Sequence, residues 1–132
     1  TFKPVEQDDI RRHKMHSEQY CIHKKALERI QSAKENGGRV IAVGTTVARV
    51  LEGVYKRYGY LKEGEGEVDI FIFPGFKFSV IDGLITNFHL SGSTLLMLVS
   101  AFAGHELTMN AYRTAIEEQY RFYSFGDAMI IL

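Results

Sequence analysis

Residues 82–104 read Asp-Gly-Leu-Ile-Thr-Asn-Phe-His-Leu-Ser-Gly-Ser-Thr-Leu-Leu-Met-Leu-Val-Ser-Ala-Phe-Ala-Gly, and few folds can hold them. The first part has the apolar content of a buried strand. The last part is an apolar helix behind Ser91-Gly92-Ser93-Thr94. Thr86, Asn87 and His89 fall at the join, so polar groups sit where a strand hands over to a helix.

A second handover lies upstream. The run 39–43, Arg-Val-Ile-Ala-Val, is β-branched in the manner of a strand buried on both faces, and Gly44-Thr45-Thr46 follows at once. Val47, Val50, Leu51, Val54 and Tyr58 then recur at helical spacing up to Gly59. In open α/β sheets ligands collect at the carboxyl ends of strands, beside the free N–H groups of the next helix. Gly44, Thr45 and Thr46 therefore either cradle a carboxylate, hydroxyl or phosphate or merely cap the helix. Neither a dinucleotide fingerprint nor a Walker lysine is present.

The rest of the pattern fits between these two turns. Residues 1–12 are expected to form an arm or linker, and 13–22 a strand on which His16 and Glu18 share a face. Ala26, Leu27, Ile30 and Ala33 predict a helix over 24–36, stopped by Gly37-Gly38. Residues 61–67, rich in Glu and Gly, read as a loop; 68–73 as a strand ended by Pro74-Gly75; and 76–81 as a further strand. Phe71, Phe73, Phe76 and Phe78 are expected in the core rather than as a base-stacking platform. A last helix is expected behind Thr108 as N-cap, with Ala111, Tyr112, Ala115, Ile116, Gln119, Tyr120 and Tyr123 inward, followed by a strand within 125–132. Asp127 either caps a turn or points into a site. The whole predicts an α/β layered domain with a mixed or largely parallel sheet flanked by helices.

Bulk properties narrow the partners. Lys plus Arg equals Asp plus Glu at 16 each, so nucleic acid or an anionic surface would have to be met by a local patch. The basic clusters are Arg11-Arg12-His13-Lys14 and Lys56-Arg57. A lone cysteine, Cys21, fits a reducing, cytoplasmic setting. The apolar run 95–103 is far short of the roughly 20 residues that cross a bilayer. No metal motif or nucleophile elbow occurs. The remaining polar set is distributed: Thr45, Thr46 and Arg49 at one turn, and Asp82, Thr86, Asn87, His89, Ser93 and Thr94 at the other. If both turns open on one sheet edge, they form one pocket for a polar, sugar-bearing or amino-acid-bearing ligand.

At these residues the chain resembles a known family. Val-Gly-Thr-Thr at 43–46 with Arg49, Asp-Ile-Phe-Ile-Phe-Pro-Gly at 69–75, Thr-Asn-Phe-His-Leu at 86–90 and the block 93–104 are similar to the S-adenosylmethionine:tRNA ribosyltransferase-isomerases of queuosine biosynthesis. The runs at 13–18 and 120–129 agree. The resemblance implies transfer and isomerisation of the ribosyl part of S-adenosylmethionine onto 7-aminomethyl-7-deazaguanine in tRNA, giving epoxyqueuosine, with adenine and methionine released. S-adenosylmethionine is then a consumed co-substrate, with no other cofactor, no metal and no membrane, and the protein is expected as a monomer. It implies His89, Glu18 and His16 as catalytic candidates. Thr45, Thr46, Arg49, Thr86, Asn87, Ser93 and Thr94 become substrate-binding candidates, with Arg49 on a methionine carboxylate or a tRNA phosphate. Members of the family are longer two-domain enzymes, so 13–132 are expected to be the C-terminal part of the α/β catalytic domain, inactive alone. Where the family carries a proline after Asn-Phe-His-Leu, this chain has Ser91-Gly92. The competing expectation is a non-catalytic nucleotide- or RNA-binding α/β module.

Overall fold

The computed structural model describes residues 14–132, so the expected arm over 1–12 and His13 lie outside the described residues. The elements are β1 (Glu18–Ile22), α1 (Lys24–Glu35), β2 (Ile41–Val43), α2 (Thr45–Tyr58), β3 (Gly64–Val68), β4 (Gly83–Asn87), α3 (Thr94–Ala103), α4 (His105–Glu117) and β5 (Ala128–Ile131). Strands β1 and β3 form an antiparallel pair. A mixed sheet runs β2-β4-β5, with β2 parallel and β5 antiparallel to β4. Both sheets are flanked by helices, as the α/β reading requires. Among the described residues no helix is long and apolar enough to cross a membrane.

The core forms around α2. Ala48, Leu51 and Val54 bury one face of it against Ala42, Val68, Ile72, Val80 and Leu84. Burial of this apolar surface supplies the main stabilisation, roughly 25 cal/mol per Å² removed from water. Helix α1 is amphipathic and peripheral: Leu27 and Ile30 lean on the core, and none of its residues is fully buried.

Three expected segments are overturned. The expected loop over 61–67 contains β3, which pairs with β1 in the register Ile22↔Gly64 to Glu18↔Val68. Its glycines reflect close approach rather than flexibility: a Cβ on Gly66 would meet the Tyr20 hydroxyl at 2.9 Å. The expected strand over 68–73 ends at Val68, and 76–81 is not a strand. Both segments still bury apolar side chains, with Ile72 and Val80 each 1% exposed. Their polar backbone is met by α2 side chains instead of a ladder. Arg49 Nε donates to the Ile70 carbonyl at 3.1 Å. The Glu52 carboxylate accepts the amides of Ser79, Val80 and Ile81 at 2.9, 2.8 and 3.0 Å.

Smaller corrections share this logic. β1 begins at Glu18, opposite Val68 where its partner ends. β2 is trimmed because the Val40 amide donates to the Asp82 carboxylate at 2.8 Å. α4 begins at His105 behind Gly104, so Thr108 is not its N-cap; it lies buried within the helix, donating to the Gly104 carbonyl at 2.7 Å. Of the expected inner face, Tyr112 and Ala115 are buried, whereas Ile116 is exposed and Tyr123 lies beyond the helix. Phe76 and Phe78 pack against the core, as expected, whereas Phe71 and Phe73 are half-buried beside each other, their centroids 5.2 Å apart, and are not among the rings packed on that core.

Candidate active site

The parallel strands β2 and β4 bring the two handovers side by side. Val43 pairs with Ile85, and the Gly44 amide continues the ladder to the Ile85 carbonyl at 2.8 Å. Gly44–Thr46 therefore sit beside Thr86 and Asn87. Gly44 occupies the N-cap of α2 and no side chain caps that helix, so Thr45 and Thr46 are not caps. The start of α2, with Thr45 buried, Thr46 exposed and a partial positive charge at its N-terminus, lines the same opening.

His89 is fixed on the far side by two hydrogen bonds and by the packing of its neighbour. Its Nε2 pairs with Thr86 Oγ1 at 2.8 Å, and its backbone amide donates to the Tyr112 hydroxyl at 2.8 Å. The neighbouring Phe88 ring is clamped by Tyr112, Phe122 and Tyr120, with centroids 5.3, 5.2 and 5.8 Å away. Burial penalises the imidazolium and lowers the His89 pKa to about 4. At neutral pH His89 is an uncharged imidazole, able to accept or donate one proton. Burial likewise raises the Tyr112 pKa, opposed by the hydrogen bond from His89, so its phenol stays protonated.

The turn after His89 holds Ser91-Gly92. Ser93 donates its amide to the Leu90 carbonyl at 3.3 Å, and Gly92 takes φ 72°, a conformation suited to glycine. Ser93 Oγ then accepts the Leu96 amide at 3.2 Å and caps α3. Ser91-Gly92 thus forms a turn suited to glycine and keeps the cap.

Nine of the ten expected site residues line one cleft of about 950 Å³: His16, Glu18, Thr45, Thr46, Arg49, Thr86, Asn87, His89 and Thr94. Ser93, 1% exposed, stands behind it as the helix cap. Arg49 is tied into the protein around it. It is 3% exposed; it pairs with the Glu18 carboxylate, donates through Nη2 to the His16 carbonyl at 3.0 Å and through Nε to Ile70. These contacts pin β1 and the 69–73 segment to α2 and match Arg49 to Glu18. Asn87 also holds structure, donating to the Asp127 carbonyl at 3.2 Å. Asp127 caps its own turn, accepting the Arg121 amide at 2.7 Å and its guanidinium at 3.3 Å. The Arg121 amide foremost lowers its pKa.

The basic pair Lys56-Arg57 is not at this cleft. It lies 11 residues along α2 from Thr45, roughly 16 Å away at 1.5 Å per residue. Lys14 is exposed, and Arg11, Arg12 and His13 fall outside the described residues. Tyr123 and Ser124 line the cleft and were not anticipated there. Tyr123, at φ 72°, donates its amide to the Phe88 carbonyl at 2.9 Å, tying the turn to the His89 segment. The irregular Tyr-Ser-Phe-Gly-Asp run was the available signal. Among the described residues no cluster of three His, Cys, Asp or Glu side chains could hold a metal.

The cleft offers neutral hydrogen-bonding groups, one uncharged imidazole and a helix N-terminus. Known proteins share the chain that builds it. A family described as queuosine biosynthesis protein matches residues 1–131. A protein of Thermoanaerobacter sp. named S-adenosylmethionine:tRNA ribosyltransferase-isomerase is 58% identical over 132 residues, all of this chain and 39% of the relative. A protein of the same name from Carboxydothermus hydrogenoformans is 59% identical over the same span, again 39% of its length. The crystal structure of an S-adenosylmethionine tRNA ribosyltransferase from Thermotoga maritima superposes with a TM-score of 0.82 at 49% identity, covering 86% of this chain and 40% of that one. The chain thus spans about two fifths of the relatives it matches, and by sequence and fold together it belongs to the queuosine biosynthesis protein family.

Proposed function

We propose that residues 13–132 are the C-terminal part of the α/β catalytic domain of an S-adenosylmethionine:tRNA ribosyltransferase-isomerase, working with the further residues that the longer relatives carry. S-adenosylmethionine is the consumed co-substrate, and tRNA carrying 7-aminomethyl-7-deazaguanine accepts its ribosyl group. Epoxyqueuosine, adenine and methionine are the products. The carrying observation is the convergence of Thr45, Thr46, Thr86 and neutral His89 on one cleft at the carboxyl ends of parallel β2 and β4.

In this reading the threonines bind the hydroxyl-rich ribosyl group. His89, uncharged at neutral pH, takes the proton that the aminomethyl nitrogen releases as the new bond forms. Thr86 sets the imidazole orientation. Glu18 serves as a positioning residue through Arg49, which makes His89 the better base. Adenine release from S-adenosylmethionine in the presence of the modified tRNA tests this. In the full-length enzyme His89→Ala is expected to lower the rate about 10²- to 10⁴-fold. Unchanged turnover removes His89 from the chemistry, and tRNA binding without adenine release favours a non-catalytic RNA-binding module.

A further inference from the structure

A second groove, of about 640 Å³, lies at the other end of α2, between its C-terminal half and the 71–79 segment. We propose that this groove binds single-stranded RNA, a base stacking on its aromatic wall and the adjoining phosphates meeting Lys56 and Lys77. The proposal rests on the preceding reading only in taking RNA as the partner.

The wall is built for display. Phe73, Pro74, Gly75 and Phe76 form a tight turn, closed by the Phe76 amide donating to the Phe73 carbonyl at 3.1 Å. Proline at the second position and glycine at φ 101° in the third suit a type II turn. Two phenylalanines are thereby held at the turn's ends at little further entropic cost. Phe76 is backed edge-on by Phe78 at 4.9 Å, and Phe78 by Phe102 at 5.0 Å, which ties the wall to the core. All of Phe71, Phe73 and Phe76 are half-buried, so each keeps surface toward the groove.

The charge is equally placed. Lys56 Nζ lies over the Phe76 ring, 5.8 Å from its centroid, so a base that stacks there displaces the ammonium from the ring toward the adjoining phosphate. Lys56 and Lys77 are exposed, and neither forms an ion pair among the described residues. The carboxylate in the lining, Glu52, is 1% exposed with both oxygens accepting amides from 79–81, so it presents little negative charge to a ligand. Stacking faces beside unpaired cations are the common means of holding single strands without reading sequence. An acidic peptide would use the lysines and leave the rings unmatched.

The test is binding of a fluorescein-labelled short single-stranded RNA and of a tRNA transcript to the full-length protein across a salt series. Lys56→Ala and Lys77→Ala are each expected to lower the salt slope by about one. Phe76→Leu keeps apolar volume against Phe78, removes the stacking face, and is expected to weaken binding about 5- to 100-fold. Amine labelling of Lys56 and Lys77 should proceed without RNA and be blocked by it. Wild-type protein that binds no RNA, lysine variants with unchanged affinity and slope, or lysines already shielded without RNA each overturn the proposal. RNA bound through the groove without adenine release would leave it standing and sink the catalytic reading, whereas adenine release with groove variants binding normally does the reverse.

Discussion

Strand β4 and the segment 69–81 look alike in sequence: both are apolar, extended and rich in β-branched or aromatic residues. In the structure β4 has a strand on each side, whereas 69–81 leans on two charged side chains of α2. Apolar alternation predicts which side chains are buried. It does not predict where the backbone finds its hydrogen bonds, and that decides how a region fails. A ladder spreads its bonds over many residues, so no single side chain carries it. A segment bonded to Glu52 depends on one residue.

Glu52→Ala should therefore have the largest effect. It strips the acceptors from three amides, those of Val80 and Ile81 in buried residues, and is expected to cost about 3–5 kcal/mol in urea unfolding. Hydrogen exchange should rise first at 79–81, with β4 amides still protected. A cost below about 1 kcal/mol, or equal loss of protection in β4, would break the contrast.

The pH dependence sharpens it from the β4 side. The folded His89 pKa of about 4 lies below its ordinary value near 6.5, so between these limits the unfolded chain binds more protons. Stability then rises with pH across that window, and its His89 share, about 3 kcal/mol, is lost as pH falls toward 4. His89→Gln should flatten this slope in unfolding measured from pH 4 to 7, and a slope left unchanged would mean that another group carries it.

Much of this was legible and part was not, for the same physical reason. Helical periodicity located α1 and α2 to within about two residues, and the Ser93 and Gly104 signals bracketed α3. Seven residues of the cleft were named because turns at strand ends gather polar groups wherever parallel strands bring them together, and His16 and Glu18 through the family resemblance. Roles were harder. The resemblance puts Arg49 on a ligand anion, and local sequence does not show Glu18 lying across from it, 31 residues away in the chain. Glu52 drew no reading, because the amides it accepts at 79–81 lie 27 to 29 residues on. Tyr123 reaches the cleft through a left-handed backbone turn that helical periodicity cannot anticipate.

The smallest effect tests whether the β4 exit is as distributed as the comparison holds. Ser93 caps α3 through a single bond to the Leu96 amide, and that amide lies in a partly exposed first turn. Ser93→Ala should cost about 1 kcal/mol. The permissive turn at Ser91-Gly92 leaves the chain free to readjust, and the Thr86 and Tyr112 contacts hold His89 independently of the cap. The His89 titration should consequently be unmoved in the variant, followed by its imidazole proton resonances. A titration displaced toward its ordinary value would show that the cap and the imidazole form one cooperative unit. The exit from β4 would then be as dependent on one side chain as 69–81 is on Glu52.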